Sequence, residues 1–393
     1  MTKEQEAILK SVREFCAKEI IPVATELDLI SDPDETFPRV LEIIKKGRDL
    51  ELSYMLIPED YGGMGLDNIT IGIIFEELAA ADAGFAGNLG ISNIAWLPLM
   101  IGGTDEQKEK WFKIATESDE DMFLASWAVT EPQGIGLNTD DVWETGQFTL
   151  NVKTTATKEG NYYRIDGEKC FITGGAAANL CVVLAETSEG PSHFIVPTDT
   201  PGFNVIRNEN LMGHRTMINS ALSFDGVKVP EENLISMDEG NGVSELLGVA
   251  GYSDAWVAAI AVGLSRAAYE CASTYAKERI IGGKPIIQYQ ATGMMISDMS
   301  MLIEAARAMT WKALWINDTR EEPDGKLSAL SKVFASDAAM KITTDAVQVY
   351  GGAGYMKENP VEKYMRDAKV MQIYEGPNHL LRVLVSIMDY LGM

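Results

Sequence analysis

The sequence contains few of the side chains that bind metal ions or form disulfides. Its 393 residues include three histidines and four cysteines. The histidines show no metal-ligand spacing, and no HExxH pattern is present. The cysteines stand far apart and form no CxxC pair: Cys16, Cys170, Cys181 and Cys271. These features argue against a metal site and a disulfide framework, and they favour free thiols in a reducing cytoplasm.

Basic side chains are also scarce. Lysine and arginine total 33 against 58 acidic residues, which gives a net charge of −25. A chain this acidic is repelled by a phosphate backbone, so we expect no binding to nucleic acid. The GxSxG elbow typical of one class of serine hydrolases is missing as well.

Long apolar runs and an export signal are the remaining absences. Charged residues or glycines interrupt every apolar stretch, so we expect no segment that spans a membrane. The N-terminus, "MTKEQEAILKSVREF", lacks the basic segment and continuous apolar core of a signal peptide. It predicts a helix instead, with Thr2 and Gln5 at capping-box spacing. We therefore expect a cytoplasmic protein.

Length and hydrophobic periodicity indicate more than one domain. A chain of 393 residues is too long for one ordinary core. Helical periodicity dominates the beginning and the end, while the middle contains short segments rich in β-branched and aromatic residues between turn signals. We predict an α+β multidomain fold with an N-terminal all-α domain (1–122), a middle antiparallel β-barrel or sandwich (123–238) and a C-terminal four-helix bundle (239–393).

Local patterns place individual elements in these domains. "TIGIIFEELAAADA" predicts a helix capped by Thr70, and "TDEQKEKWFKIA" predicts a helix with a Thr104–Gln107 capping box. Five segments predict strands: "FTLNVKTTATK", "YYRIDGEKCFITG", "NLCVVLAET", "SHFIVPTD" and "ALSFDGVKVP". After a first long helix that starts near residue 243, further helices are expected over 286–318, 326–350 and 377–391.

One acidic residue near the C-terminus raises the question of a functional site. In "RDAKVMQIYEGPNHLLR", residues 366–382, Glu375 ends an apolar run and precedes Gly376 and Pro377. A carboxylate before Gly-Pro can be an ordinary solvated turn residue. This stretch alone does not distinguish that interpretation from a functional one, so the rest of the chain has to decide.

Six short motifs follow one another along the chain. They are "AVTEP" (128–132), "IDGEKCFITGG" (165–175), "FDGVKVPEENLI" (224–235), "RIIGGKPIIQYQ" (279–290), "QVYGGAGY" (348–355) and "RDAKVMQIYEG" (366–376). Any one of them is a weak signal, because a GGxG sequence alone is a common loop. In this order and spacing they resemble the acyl-CoA dehydrogenase family over essentially the whole chain.

The resemblance implies an FAD-dependent enzyme that oxidises the Cα–Cβ bond of an acyl-CoA thioester. In the family a base takes the α-proton and a hydride leaves Cβ for flavin N5, and Glu375 matches the base. Desolvation beside flavin and substrate raises the pKa of a carboxylate and makes it a stronger base. Thr130 and Thr173 match positions that bond the isoalloxazine edge, and Phe171 stands where the family usually has tryptophan against the ring.

The resemblance also implies a cofactor site shared by two subunits. Arg279 and Gln290 match positions that reach the pyrophosphate and adenine end of FAD in a neighbouring subunit. Gln348, Gly351 and Gly352 match a loop whose backbone approaches the same cofactor closely. A homodimer or homotetramer is therefore expected, with an electron-transfer flavoprotein as the electron acceptor.

Several positions depart from the family pattern. Gly136 stands nearest the serine that normally follows TEP, Gly282 replaces a phenylalanine and Pro377 replaces a threonine. The connection from the TEP motif to "KTTATKEGN" is several residues longer than usual. These losses remove a hydroxyl near the cofactor phosphates and another near the flavin.

Asp254 is the most consequential departure. Alignment on "AVGL", residues 261–264, puts Asp254 where the family has an arginine near the base. Some members carry the base one residue earlier, and that position here is Ser253. Three interpretations of Asp254 stay open: a second carboxylate near the substrate, a surface residue at a helix start, or a slip in the alignment that places it at the arginine position.

Other activities fit the same motifs. An enoyl-CoA reductase would use the same scaffold in the opposite direction. A flavin-poor structural or binding subunit would account for the lost serine, threonine and phenylalanine. The segment "GNLGISNIAWLPLM" contains no arginine or lysine, which argues against dicarboxylic acyl-CoA substrates.

Overall fold

The computed structural model describes residues 1–118, 123–139, 142, 145 and 148–392. The predicted boundary at residue 122, and part of the longer connection after the TEP motif, lie outside these residues. The N-terminal part is helical. Its helices are α1 (Lys3–Phe15), α2 (Ile21–Leu29), α3 (Pro33–Lys46), α4 (Asn68–Ala81), α5 (Ala83–Gly102) and α6 (Asp105–Thr116).

The starts of these helices follow from short polar side chains. Thr2 and Thr104 form the predicted capping boxes with Gln5 and Gln107 at α1 and α6. The predicted cap of α4 is wrong: Asp67 caps this helix and accepts the backbone N–H of Thr70. Aspartate and threonine are both good N-cap residues. The spacing of the apolar residues does not distinguish Asp67 from Thr70, so the predicted start of α4 was uncertain by one turn.

The middle part is one seven-stranded sheet. Its strands are β1 (Ala125–Ala128), β2 (Thr155–Glu159), β3 (Tyr162–Thr173), β4 (Leu180–Thr187), β5 (Gly190–Pro197), β6 (Phe203–Asn208) and β7 (Asn219–Pro230). The order is β1-β4-β2-β3-β7-β6, with β5 also paired to β4. Most pairs are antiparallel, as predicted, but β4 runs parallel to both β1 and β2. The sheet is therefore mixed.

The strand predictions need correction at three strands, of which β1 was not among the five predicted segments. β2 begins at Thr155, so the first half of the predicted segment "FTLNVKTTATK" contains only the bridge between Asn138 and Thr149. β6 was not predicted, because "FNVIRN" is short and mostly exposed and shows no clear apolar alternation. It pairs with β7 at the end of the strand order.

The C-terminal part returns to helices, which confirms the predicted α+β fold class. They are α7 (Gly242–Glu278), α8 (Gln290–Thr319), α9 (Gly325–Tyr350), α10 (Pro360–Met371) and α11 (Asn378–Leu391). A two-stranded hairpin, Ile280–Ile281 with Lys284–Pro285, separates α7 from α8. The helix predicted over 286–318 begins only at Gln290, and α10 is an additional short helix that the sequence did not separate.

A continuous apolar core joins the N-terminal helices to the C-terminal bundle. Phe75 of α4 and Trp256 of α7 are fully buried and meet edge to face at 6.1 Å. Burial of one such ring contributes about 1.5–3 kcal/mol. Gly263 lets the two helices approach, because a Cβ atom there would lie 2.2 Å from the backbone oxygen of Glu76. This packing fixes α7 as the support for the site described below.

Two helices are long and apolar enough to cross a membrane by length and composition alone. They are Ala83–Gly102 and Gly242–Glu278. In their most apolar windows, 83% and 72% of the residues are buried inside the protein. Both helices occupy positions of core helices.

Candidate active site

Glu375 lies in a strained turn between α10 and α11. Its φ angle is 51°, in the left-handed region, and Gly376 follows with φ of 94°. A glutamate in this conformation costs about 1–3 kcal/mol and persists only where neighbouring contacts impose it. Ser253 of α7 supplies one such contact, since its hydroxyl donates to Oε2 of Glu375 at 2.9 Å. The turn is thus a built feature and not a freely solvated loop.

The environment of Glu375 favours a proton-accepting role. Burial raises the pKa of its carboxyl group, while the Ser253 hydroxyl and the charge of Lys332 oppose that rise. A carboxylate with a raised pKa is a stronger base than one in water. The solvated-turn interpretation of Glu375 does not agree with this environment.

Asp254 is buried inside α7 and is not a surface residue. Its side chain is 1% exposed, and its Oδ1 atom has no hydrogen-bond partner among the described residues. Burial raises its pKa well above the ordinary value, Lys332 opposes this rise, and the charge of Glu375 adds to it. Asp254 is therefore a second buried carboxyl group whose pKa responds to the charge of Glu375.

Three residues matched to the flavin contacts lie close together at one edge of the sheet. Thr130 follows β1 and is exposed, and its carbonyl oxygen accepts the N–H of Cys170 at 2.9 Å. Phe171 has φ of 59° and is 60% exposed. Thr173 ends β3, with its hydroxyl 3.8 Å from the sulfur of Met217. An exposed aromatic ring beside two threonines fits a flat heteroaromatic group.

A buried ion pair that the sequence did not single out supports this edge. Lys169 donates to Glu131 and to the carbonyl oxygen of Val129, each at 2.9 Å. Glu131 also accepts the backbone N–H groups of Lys153 and Thr154, both at 2.8 Å. Both charged side chains are fully buried. The pair thus fixes the backbone on either side of Thr130. In the sequence, the pair could have been found only from the position of Glu131 and Lys169 within two of the motifs.

The connection between β6 and β7, together with the first residue of β7, links this edge to the Glu375 turn. Asn219 donates to the carbonyl oxygen of Phe171 at 3.2 Å. His214 packs edge-on against Tyr374, with 6.0 Å between ring centroids. Burial lowers the pKa of His214, so its ring is neutral. One short segment therefore contacts residues of both halves of the candidate site.

A buried network of charges holds α10 in place. Lys363 bonds Asp82 at 2.7 Å and Asp367 at 2.6 Å, and Arg366 bonds Asp28 at 2.6 Å. Asp367 also accepts the backbone N–H of His214 at 2.6 Å. The Arg-Asp pair of the "RDAKVMQIYEG" motif is thus structural: it joins α10 to α2 and to the β6–β7 connection.

The residues matched to the far end of the cofactor lie elsewhere. All five are exposed: Arg279, Gln290, Gln348, Gly351 and Gly352. Lys332 and Gln348 both belong to α9, and their separation of sixteen positions corresponds to about 24 Å along the helix. A Cβ atom at Gly351 or Gly352 would meet nothing within 4 Å. This end is open on its outer side, which fits a group that approaches from outside the chain.

Three of the departures from the family pattern, Gly136, Gly282 and Pro377, are exposed or half-buried. Gly136 has φ of 52° and is exposed, and Gly282 has φ of 59°. Pro377 is the N-cap of α11 and makes no side-chain capping bond.

Among the described residues, no group of three or more histidine, cysteine or acidic side chains could hold a metal ion.

Comparison with known families agrees with these observations. Three family models match consecutive parts of the chain. The N-terminal domain of acyl-CoA dehydrogenase matches residues 2–118, its middle domain matches 126–227, and its C-terminal domain matches 241–386.

Individual relatives match the chain over nearly its full length. A cyclohex-1-ene-1-carbonyl-CoA dehydrogenase from Geobacter metallireducens is 38% identical over 98% of both chains. Butyryl-CoA dehydrogenase from Megasphaera elsdenii has a similar structure, with a TM-score of 0.89 and 34% identity over 100% of this chain and 99% of that one. An acyl-CoA dehydrogenase from Bacillus anthracis in complex with FAD gives a TM-score of 0.88 and 27% identity over 100% and 67%.

Proposed function

Because the chain belongs to the acyl-CoA dehydrogenase family, we propose that it removes the α and β hydrogens of an acyl-CoA thioester. The enzyme is an oxidoreductase that acts on a CH–CH bond. The observation that carries the proposal is the position of Glu375: a partly buried carboxylate in a strained turn, held by Ser253 and with a raised pKa.

Glu375 is the residue that takes the α-proton in this proposal. An α-proton of a thioester is weakly acidic, so its removal needs a positioned base and stabilisation of the enolate that forms. The hydrogen bond from Ser253 orients the carboxylate of Glu375 before substrate arrives. After the transfer, Glu375 is the neutral acid, the form that its buried environment favours.

FAD is the cofactor, as in the FAD-bound relative. When bound, FAD supplies the acceptor for the hydride that leaves Cβ. We assign Phe171 to pack on the ring system, and Thr130 and Thr173 to bond its edge. The exposed Phe171 ring and the adjacent threonines support this assignment. A flavin-poor binding subunit is not supported, because the curated relatives named above are dehydrogenases.

The far end of the cofactor is assigned to a second copy of the chain. Arg279 and Gln290 reach its pyrophosphate and adenine, while Gly351 and Gly352 let the backbone come close. The exposure of these residues, and their distance along the bundle from the Glu375 turn, support a site shared between subunits. A homodimer or homotetramer in the cytoplasm, which reduces an electron-transfer flavoprotein, completes the proposal.

An anaerobic substrate panel tests the function. Purified enzyme is mixed with butyryl-CoA, longer linear and branched acyl-CoAs, glutaryl-CoA and cyclohex-1-ene-1-carbonyl-CoA, and the flavin absorption is followed. Bleaching by one class supports dehydrogenation and identifies the substrate class. A yellow enzyme that no acyl-CoA bleaches, but whose reduced form an enoyl-CoA reoxidises, indicates an enoyl-CoA reductase. A colourless preparation contradicts the proposal.

A further inference from the structure

A buried lysine lies against the turn that carries Glu375. Lys332 belongs to α9, and its side chain is fully buried. Its ammonium group donates to the carbonyl oxygen of Gly376 at 2.6 Å and to Oδ1 of Asn378 at 3.1 Å. Gly376 follows Glu375 directly, and Asn378 begins α11. One ammonium group therefore fixes both the turn and the start of the next helix.

The first turn of α11 depends on this arrangement. Pro377, its N-cap, provides no side-chain hydrogen bond. Asn378 instead bonds α9, where its amide donates to Ser336 at 2.8 Å and to Asp337 at 2.9 Å. Together with Lys332, these contacts attach the 375–378 segment to α9. The strained φ of Glu375 requires such anchoring.

Charged groups on several elements act on Lys332. Burial lowers the pKa of Lys332 to about 8, while the charges of Asp254 on α7, Glu375 in the turn and Asp337 on α9 oppose this decrease. Asp337 forms its own ion pair with Arg382 of α11. Lys332 thus remains as the cation that Asp254 and Glu375 share.

The number of charged groups in this site indicates that one of the two carboxyl groups carries a proton. Two ionised carboxylates and one ammonium group in a buried site leave a net negative charge, which is costly away from water. Glu375 receives the Ser253 hydroxyl, whereas Asp254 has an unpartnered oxygen. Asp254 is therefore the carboxyl group that holds the proton, and Lys332 compensates Glu375. The Tyr374 phenol has a pKa raised by burial and stays neutral.

We propose that Lys332 is a positioning residue of the active site: its ammonium group fixes the turn that carries Glu375 and supplies the positive charge that keeps Glu375 ionised beside Asp254. This role rests on the proposed function, because it acts through Glu375. It does not require Lys332 to touch the substrate.

Removal of the charge should shift the pH dependence in a defined direction. A nearby positive charge lowers the pKa of a carboxyl group, and the charge of Lys332 opposes the rise in the pKa of Glu375. Lys332→Met should therefore raise the pKa of Glu375. Since the reaction needs ionised Glu375, the acid limb of flavin reduction should move to higher pH in Lys332→Met. Lys332→Arg keeps the charge and should leave the limb near its wild-type position, with a lower plateau.

The experiment compares these variants with Lys341→Met. Lys341 lies on the same helix, is 60% exposed and pairs with Asp345, so this variant should match wild type. Hydrogen–deuterium exchange of the peptide over residues 372–382 gives a readout independent of turnover. It should be faster in Lys332→Met, and unchanged in Lys341→Met, if Lys332 anchors the turn.

Two results would overturn the inference. An acid limb at the wild-type position in Lys332→Met shows that the charge does not act on Glu375. An equal shift in Lys332→Arg shows that geometry and not charge controls the limb. If Lys332→Met does not fold, a shifted acid limb in Lys332→Arg still overturns the inference. Wild-type enzyme that bleaches with no acyl-CoA refutes the proposed function instead, so the two failures are distinguishable.

Discussion

Substitution of Glu375 by glutamine is the sharpest test of the proposed base. Glutamine has nearly the same size, and its amide oxygen can still accept the Ser253 hydroxyl that now bonds Oε2 at 2.9 Å. The anchor from Lys332 goes to the carbonyl oxygen of Gly376 and not to the carboxylate, so it survives. Glu375→Gln should therefore keep the turn and lose only the ability to take a proton.

The expected loss is at least about 10²-fold in the rate of flavin reduction, the lower end for a positioned acid–base group. This equals about 2.7 kcal/mol in activation free energy. Anaerobic rapid mixing with a bleaching acyl-CoA measures the rate, and the flavin spectrum before mixing measures FAD content. The exposed Glu358 gives a matched control, since Glu358→Gln should behave as wild type.

A Glu375→Gln enzyme that binds acyl-CoA and bleaches at nearly the wild-type rate would refute the assignment. Asp254 would then be the next residue to test. A variant that loses FAD altogether would show instead that the turn is needed for cofactor binding, and its rate would carry no information about proton transfer.

Three further predictions concern the cofactor, the second carboxyl group and the buried ion pair. Arg279→Ala should release FAD and weaken the dimer together, because a charge-assisted contact contributes about 1.5–3 kcal/mol; unchanged flavin content and oligomer size would contradict this. Asp254→Asn should alter the pH profile of flavin reduction, because it removes a titratable group that interacts with the charge of Glu375, and it should cost little stability, since the amide resembles the neutral acid that burial favours; a wild-type profile would place Asp254 outside the reaction. Lys169→Met should lower the free energy of unfolding by about 3–5 kcal/mol, because Glu131 is then a buried, unpaired carboxylate. In denaturant titrations, the double variant Lys169→Met with Glu131→Gln should recover most of that loss. Equal destabilisation of the single and the double variant would refute the pairing.

Local signals in the sequence predicted much of the fold. The capping boxes at Thr2 and Thr104 depend on residues three positions apart, and both are present. Strand direction was not available in this way: β-branched segments look alike whether their neighbours run parallel or antiparallel. The parallel pairing of β4 with β1 and β2 arises from long-range topology.

For the candidate site, too, the sequence predicted some residues and missed those that depend on long-range packing. The motif around Glu375 could be found in the sequence because it resembles the family motif. Asp254 could be found because it departs from the family pattern. The sequence did not reveal that Lys332 anchors the turn, because 43 residues separate it from Glu375 and a lysine in a helix usually faces water. Its burial results from packing of α9 against α7 and α11. The Glu131–Lys169 pair was missed for the same reason.

Isotope effects on flavin bleaching test the central claim most directly. The reaction we propose breaks the Cα–H bond through Glu375 and the Cβ–H bond by transfer to the flavin. Rapid anaerobic mixing of wild-type enzyme with a substrate deuterated at Cα, and separately at Cβ, measures both steps. We predict slower bleaching with each labelled substrate. Bleaching at the unlabelled rate with the α-deuterated thioester would contradict the account.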